Sequence, residues 1–337
     1  MKAQVGPASW MVAIISYNRY DLVRVAVLAY HNQTMPPGRI VVLDNSDSPQ
    51  PAELEDLPVE YVLAHKSGRN SGSAGGFAAA MDIAAREGVE RVVLSDQDAT
   101  PQIDMLEAIW RVAQQYPDSV VAPFTVDPRD NRVMPAYPAC PHRPGVGLPL
   151  LPNRQEIGRS LGWRVVGDAV PTLEVMHQMA DAQDHGVART PLVPPQGVSI
   201  PRAVLLAVGP FNADFYIGHE DYEWCARAHD AGVDILLPLD AVVHHHLAWH
   251  KVVQALMFEW SIPDYNHVRH EATLRNSLIL ARQRLTGSLL LSWLARECYK
   301  TMGYIFFGPG GAIERLRSTS RALAAGMRPV ASGHKHP

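Results

Sequence analysis

An α/β fold with a Rossmann-like nucleotide-binding half is the architecture this sequence predicts, and three observations carry it. Apolar runs alternate with helical spacing in a β-α-β-β-α-β rhythm over residues 10–98. One run, Val92-Val93-Leu94, has no polar alternation, as expected of a strand buried on both faces in a parallel sheet, and it empties into Asp96-Gln97-Asp98. A Gly-rich stretch at residues 68–76 opens a helix.

Residues 10–16 (WMVAIIS) read as the first buried strand, followed by a polar turn at 17–21 and helical spacing over 22–30. Residues 39–43 (RIVVL) form a second strand ending in Asp44-Asn45-Ser46-Asp47, and 59–63 a shorter third. A helix over 77–87 leads to the fourth strand, 91–94, and Pro101 stops further pairing. Residues 120–124 read as another strand. Prolines then crowd 123–152 and no period persists, which marks a long excursion over the active face. Residues 165–182 carry a weak helical pattern. Regularity returns at 196–200, with Pro201 in the first turn of a helix over 203–208 that Gly209-Pro210 ends. Glu220-Asp221 open a helix reaching Gly232. Short strands at 235–238 and 241–243 feed His244-His245-His246.

Composition narrows the class. Apolar residues make up 47% and charged residues 19% of the 337, as in ordinary globular proteins. A net charge of −4 argues against a nucleic-acid partner. Three distant cysteines, Cys140, Cys225 and Cys298, suggest neither a disulfide framework nor a zinc site and fit a reducing compartment. No signal peptide and no run of about 20 apolar residues is evident, so a cytoplasmic location is expected.

The chemistry-bearing residues gather at predicted strand ends, where open α/β sheets bind ligands. Asp96 and Asp98 cannot both ionise cheaply at close range without a cation, and a hard divalent ion shared with substrate phosphates resolves the repulsion. The alternative is a solvated turn. Asp44 can accept hydrogen bonds from a base or ribose, although Asp-Asn-Ser-Asp is also turn chemistry. The glycines are not a dinucleotide fingerprint, because the turn at 16–21 holds none. They offer close backbone approach to a phosphate at a helix N-terminus, or merely a flexible turn. Glu220 and Asp221 suit a general base, although acidic residues also favour a first helical turn by its dipole. An imidazole near Asp98 would complete a mixed N/O site suited to Mn²⁺ or Mg²⁺ rather than zinc.

Taken together, Asp44-Asn45, Asn70 to Phe77, Asp96-Gln97-Asp98, His219-Glu220-Asp221 and His246-Leu247-Ala248-Trp249 resemble a family 2 inverting glycosyltransferase of the GT-A fold. Gly75-Gly76-Phe77, His246 to Trp249 and Leu274-Arg275-Asn276 are most similar to bacterial galactofuranosyltransferases. Asp-Gln-Asp and the run Glu223, Trp224, Arg227 also resemble rhamnosyltransferases. The resemblance spans roughly residues 10–285 without the loose middle. It implies a GT-A Rossmann-like mixed sheet flanked by helices. It further implies that Ser16, Asn18, Asp44, Asn45, Asn70, Gly72, Gly75, Gly76, Asp96 and Gln97 bind the nucleotide and donor. Asp96, Asp98 and His246 would hold Mn²⁺ or Mg²⁺, with Asp221 as base beside Glu220. Gln196, Gly197, His219 and Trp249 would line the acceptor site. Galactofuranosyltransferases tend to carry a third acid where this chain has Gln97, so the donor sugar stays open between UDP-galactofuranose and dTDP-rhamnose.

The implied domains are a catalytic domain over 8–285, with a nucleotide half at 8–125 and an acceptor half at 190–285, then a C-terminal helical extension over 286–330. The extension is apolar over 285–307 and followed by Arg315, Arg317, Arg321 and Arg328. It suits a packed helix or peripheral contact with anionic lipid, which a polyprenyl-linked acceptor would make sensible. The acceptor is a glycan or such a lipid, and a homo-oligomer is compatible with the chain. The competing readings are a non-catalytic nucleotide-binding subunit and an NAD-dependent dehydrogenase.

Overall fold

The structure, a computed structural model, describes residues 9–64, 70–129, 186–190, 192–245, 250–255, 258–263, 266–285 and 287–328. The chain divides into two compact units. The first holds the described residues up to Tyr216 and from Glu220 to 245. The second holds Ile217–His219 and the described residues from 250 onward. The expected boundary at 285 thus falls inside the second unit.

The first unit is built on parallel strands β1 (Trp10–Ser16), β2 (Arg39–Asp44), β3 (Glu60–Leu63) and β4 (Arg91–Asp96). With β6 (Val120–Val121), β8 (Val187–Arg189), β9 (Val198–Pro201) and β10 (Ile235–Pro238) they form a mixed sheet, ordered β3-β2-β1-β4-β9-β6-β10-β8 among the described residues. Strand β9 runs antiparallel to β4, and β8 antiparallel to β10. Alternation in β1 splits its side chains between two cores. Met11, Ala13 and Ile15 pack toward Phe77, Met81 and Trp224, from helices α2 (Gly72–Glu87) and α5 (Glu220–Asp230). Trp10, Val12 and Ile14 pack toward Val27, Tyr30 and Ile109, from α1 (Tyr20–His31) and α3 (Met105–Gln115). Helices therefore cover both faces, which is why the strands are apolar on both sides.

Several boundaries differ from expectation for physical reasons. Helix α2 starts at Gly72, five residues before the expected 77. Pro123 has no N–H to donate, and the run 120–124 splits around it into β6 and a separate strand β7 (Phe124–Val126). Pro101 does not stop pairing. It ends a short strand, β5 (Ala99–Pro101), at the edge of a second sheet ordered β5-β11-β7, where a missing donor is tolerated. Strand β11 is Val242–His245. Pro201 ends β9 and stands just before helix α4 (Arg202–Val208) rather than within its first turn. Helix α3 and strand β8 were not among the expected elements. The weak helix at 165–182 lies outside the described residues.

The second unit contains a hairpin of β12 (His250–Ala255) and β13 (Phe258–Pro263), also unexpected, and three helices, α6 (His267–Arg284), α7 (Gly287–Phe307) and α8 (Ala312–Gly326). Helices α6 and α8 approach closely: a Cβ added to Gly326 would stand 2.9 Å from Leu278 Cδ2 and 3.1 Å from the Arg275 carbonyl. His270 of α6 stacks on Tyr304 of α7 at 3.5 Å. Trp293 of α7 is buried and donates to Ser277 Oγ at 3.3 Å. These contacts explain why α6 groups with the extension.

Candidate functional site

The parallel register aligns three chemistry-bearing strand ends, with Ser16 beside Asp44 and Ile15 beside Asp96. The β2 end is closed by protein. Asp44 is wholly buried. It accepts from Tyr61 Oη at 2.7 Å, from the Ser46 amide at 3.0 Å, and from the hydroxyls of Tyr20 and Ser46. Burial pushes this carboxyl up, but those donors, Ser46 foremost, outweigh it and hold it below its ordinary range. Asn45 Oδ1 accepts from the amide and hydroxyl of Ser71, both at 2.9 Å, and Nδ2 donates to the Gly72 carbonyl at 2.7 Å. Protein donors thus reach both oxygens of Asp44, the residue expected to bind the nucleoside, and fix its carboxylate at the sheet edge.

The glycine stretch is likewise turned inward. The Gly72 amide donates to Asn70 Oδ1 at 2.8 Å, and the Ala74 amide to the Tyr216 carbonyl at 3.0 Å. Gly72 has φ +73°, and a Cβ there would lie 1.9 Å from the Tyr216 oxygen. A Cβ on Gly75 would strike Ser71 at 2.4 Å, and one on Gly76 would meet Ile15 at 2.7 Å. Protein thus stands close against the Cα of each of Gly72, Gly75 and Gly76, the positions expected to allow close backbone approach. Tyr216 itself has φ +61° and Asn18 φ +54°. A left-handed backbone is ordinary for Asn and costly for a bulky Tyr. Gln97 Oε1 accepts from the Tyr17 amide at 2.8 Å, tying the β4 end to the β1 end. The Asn18 amide donates to Ser46 Oγ at 2.8 Å. Ser16 is buried at the end of β1.

The β4 end is different. Asp96, Asp98 and His245 each present a ligand atom, all within 4.8 Å of one another. Strand β11 delivers His245: its register against β5 sets Val243 opposite Pro101 and His245 opposite Ala99. His245 Nε2 then reaches Asp98 Oδ1 at 3.2 Å. Burial opposes a charged imidazole, but Asp98, then Asp96 and Asp127, outweigh it and raise His245 above its ordinary range. His245 Nδ1 is buried with no protein partner among the described residues. Burial, then the Asp98 charge, pushes Asp96 up to about 7, against a lowering hydrogen bond from Gln196. Two carboxylates and one imidazole form a donor set that fits a hard divalent cation. Among the described residues these three can hold a metal; the expected ligand His246 lies outside them, as does Trp249.

Asp221, in the first turn of α5, faces the same cluster electrostatically. Burial and neighbouring Glu220 push it up to about 8, with Asp96 adding to the rise. Its Oδ1 accepts from the Tyr222 amide at 2.9 Å. Glu220 is buried and takes the Ser73 hydroxyl. The segment leading into it is held within the second unit. Asn276 Nδ2 donates to the carbonyls of Ile217 at 3.2 Å and Gly218 at 2.6 Å, and His219 has φ +67°. Gln196, expected in the acceptor site, is buried and hydrogen-bonds Asp96. Gly197, also expected in the acceptor site, has φ +87°, donates its amide to the Leu94 carbonyl at 2.8 Å and lies against Pro123. Glu223 and Arg227 pair at 2.8 Å, and Arg227 with Trp224 caps the carbonyls of residues 208–210. That run is fold-forming here.

Residues 11–177 match the family model described as Glycosyl transferase family 2. The chain carries a family 2 glycosyltransferase domain. Galactofuranosyltransferase GlfT1 of Mycolicibacterium smegmatis is 29% identical over 129 residues, covering 37% of this chain and 41% of that protein. The structure of S. aureus TarS matches over 94% of this chain and 48% of its own, at 13% identity and a TM-score of 0.51. That of TarS 1-349 in complex with UDP matches over 94% and 79%, at 14% identity and a TM-score of 0.52. The chain thus spans less than half the length of GlfT1 and of the longer TarS chain. These likenesses give the fold as GT-A, in keeping with the mixed sheet flanked by helices. The family 2 domain ends within residues the structure does not describe. The Asp221 and His245 positions therefore rest on geometry rather than on the family match.

Proposed function

We propose that this protein transfers a sugar from a nucleoside-diphosphate sugar to a hydroxyl of a glycan or polyprenyl-linked acceptor, with inversion and with Mn²⁺ or Mg²⁺. The observation that carries the reading is the meeting of Asp96, Asp98 and His245 within 4.8 Å, although His245 lies far along the chain from the Asp pair. Asp96 and Asp98 with His245 would hold the cation, which when bound neutralises charge developing on the leaving diphosphate. Asp221 takes the proton of the acceptor hydroxyl. The acceptor oxygen bonds to the anomeric carbon as the bond from that carbon to the diphosphate breaks, and the electron pair leaves with the nucleoside diphosphate. A carboxyl pushed up to about 8 is a stronger base than an ordinary carboxylate, and general-base help is worth about 10²–10⁴-fold. Gln97, Asn45 and Asn70 brace the strand ends on which the donor would rest.

Galactofuranose is the favoured donor sugar, supported by the 29% identical galactofuranosyltransferase. The alternative, rhamnose from dTDP-rhamnose, rests on Asp-Gln-Asp, in which Gln97 adds no charge. A non-catalytic nucleotide-binding subunit is the further alternative, and the crowding of Asp96, Asp98 and Asp221 speaks against it. Thermal unfolding with UDP, dTDP and GDP, each with and without Mn²⁺, tests the reading on wild type and Asp98→Ala. A ligand at 100 times its Kd stabilises by about 2.7 kcal/mol. Metal-dependent stabilisation by UDP or dTDP, lost in Asp98→Ala, is expected, and the preferred base selects the donor class. No response to any nucleoside diphosphate sinks the proposal.

A further inference from the structure

We infer that helices α7 and α8 dock on an anionic lipid bilayer, lying in its interface rather than crossing it. Along α7 the exposed residues Leu291, Leu294, Cys298, Met302 and Phe306 follow one another at steps of three or four, which places them on one helix face. Leu291 is 68% and Phe306 67% exposed, and no charged residue interrupts the stripe. The opposite face of α7 buries Trp293 and Tyr304. Helix α8 repeats the arrangement: Ser318, Thr319 and Ala322 are buried, while Ile313, Leu316 and Leu323, with Met327 capping its C-terminus, are exposed at helical spacing.

Scattered exposed apolar side chains are ordinary, but two ordered stripes in one unit mark a contact surface. Charge identifies its partner. Residues 267–328 carry ten Lys or Arg against three Glu, whereas the whole chain carries 30 Lys and Arg against 34 Asp and Glu. This is a basic unit in an acidic chain, and Arg317 is exposed beside the α8 stripe. A second copy would bring cations against cations, whereas an anionic surface compensates them. No described helix is long and apolar enough to cross a membrane, so the fit is that of an amphipathic helix with its apolar face in the headgroup boundary. The inference stands apart from the transfer reaction and survives its failure.

Co-sedimentation of the full chain with vesicles tests it. One set is phosphatidylcholine alone, the other a mixture with phosphatidylglycerol. Binding to the mixed vesicles at least tenfold tighter than to neutral ones, and weakened by salt, is expected. Leu291→Glu with Phe306→Glu should lower partitioning tenfold or more while leaving the melting temperature near wild type, since both side chains are exposed. Arg317→Glu should lower it by a smaller factor. Wild type staying in the supernatant with anionic vesicles overturns the inference, whatever the variants do. So does unchanged binding by the folded Leu291/Phe306 variant. A wild-type dimer in light scattering that this variant converts to monomer assigns the face to a second copy instead.

Discussion

The carboxyl ends of β2 and β4 belong to one sheet and both carry aspartates, yet the two ends treat them oppositely. Asp44 is wholly buried and nevertheless held below its ordinary range, because tyrosine and serine donors reach its oxygens. Asp96 is driven up to about 7 by burial and by Asp98, and Asp221 up to about 8 by burial and Glu220. The first arrangement supplies a protein donor to each carboxylate oxygen. The second is crowded with negative charge, which His245 compensates at Asp98 while Asp96 and Asp221 stay raised, and a cation would relieve the rest. Burial acts on both edges; donors outweigh it at Asp44, whereas neighbouring carboxylates add to it at Asp96 and Asp221.

Asp221→Asn should break the crowded end most severely. It removes the proposed proton acceptor, and kcat should fall about 10²–10⁴-fold while metal-dependent nucleotide binding persists. Steady-state kinetics beside a thermal-shift titration measures both; an active Asp221→Asn enzyme would require a different base.

On the completed end, Gly72→Ala should be the most damaging change. The new Cβ would overlap the Tyr216 carbonyl at a backbone φ of +73°, and a loss of more than about 2 kcal/mol is expected in denaturant unfolding. A neutral outcome would mean the glycine turn is loose rather than packed, reopening it as a ligand loop.

Stability against pH sharpens the contrast with metal chelated. Asp96 and Asp221 sit above their ordinary 3.8, so the folded state holds more protons than the unfolded one, and stability should fall as pH rises from about 4 to 8. Asp44 is shifted the other way, and its contribution should be full above pH 4 and lost as pH falls below it. Asp96→Asn should flatten the neutral limb and leave the acid limb, as melting temperatures across a pH series would reveal. A neutral limb unchanged in that variant would contradict the crowding. The smallest effect belongs to Tyr61→Phe, which removes one donor from Asp44 and should cost about 1 kcal/mol in the same unfolding assay with activity preserved. A large loss of activity instead would place Asp44 in direct contact with substrate.

Much of the first half was legible because its signals are local. Strand β1 falls on the expected 10–16, and β2 and β4 each extend a residue or two beyond expectation, since unbroken apolar runs mark strands covered on both faces. Asp96 and Asp98 were legible as a pair because they are sequence neighbours at such a strand end. Helix α3 passed unnoticed although Met105, Ile109, Val112 and Ala113 are spaced as a buried face. Strand β5 was hidden because three residues ending in Pro101 carry no strand signal of their own.

By itself, the sequence determined the α/β class, the succession of parallel strands and the acidic residues at their ends, because hydrophobic period and strand termination are properties of consecutive residues. Only the tertiary structure brought His245 to Asp98, since that follows from the β5–β11 register between segments more than 140 residues apart. It alone turned Asp44 and the glycines inward, because a group becomes structural or available according to which distant donors and backbones reach it first, and Tyr61 and Tyr216 reach these from elsewhere in the chain.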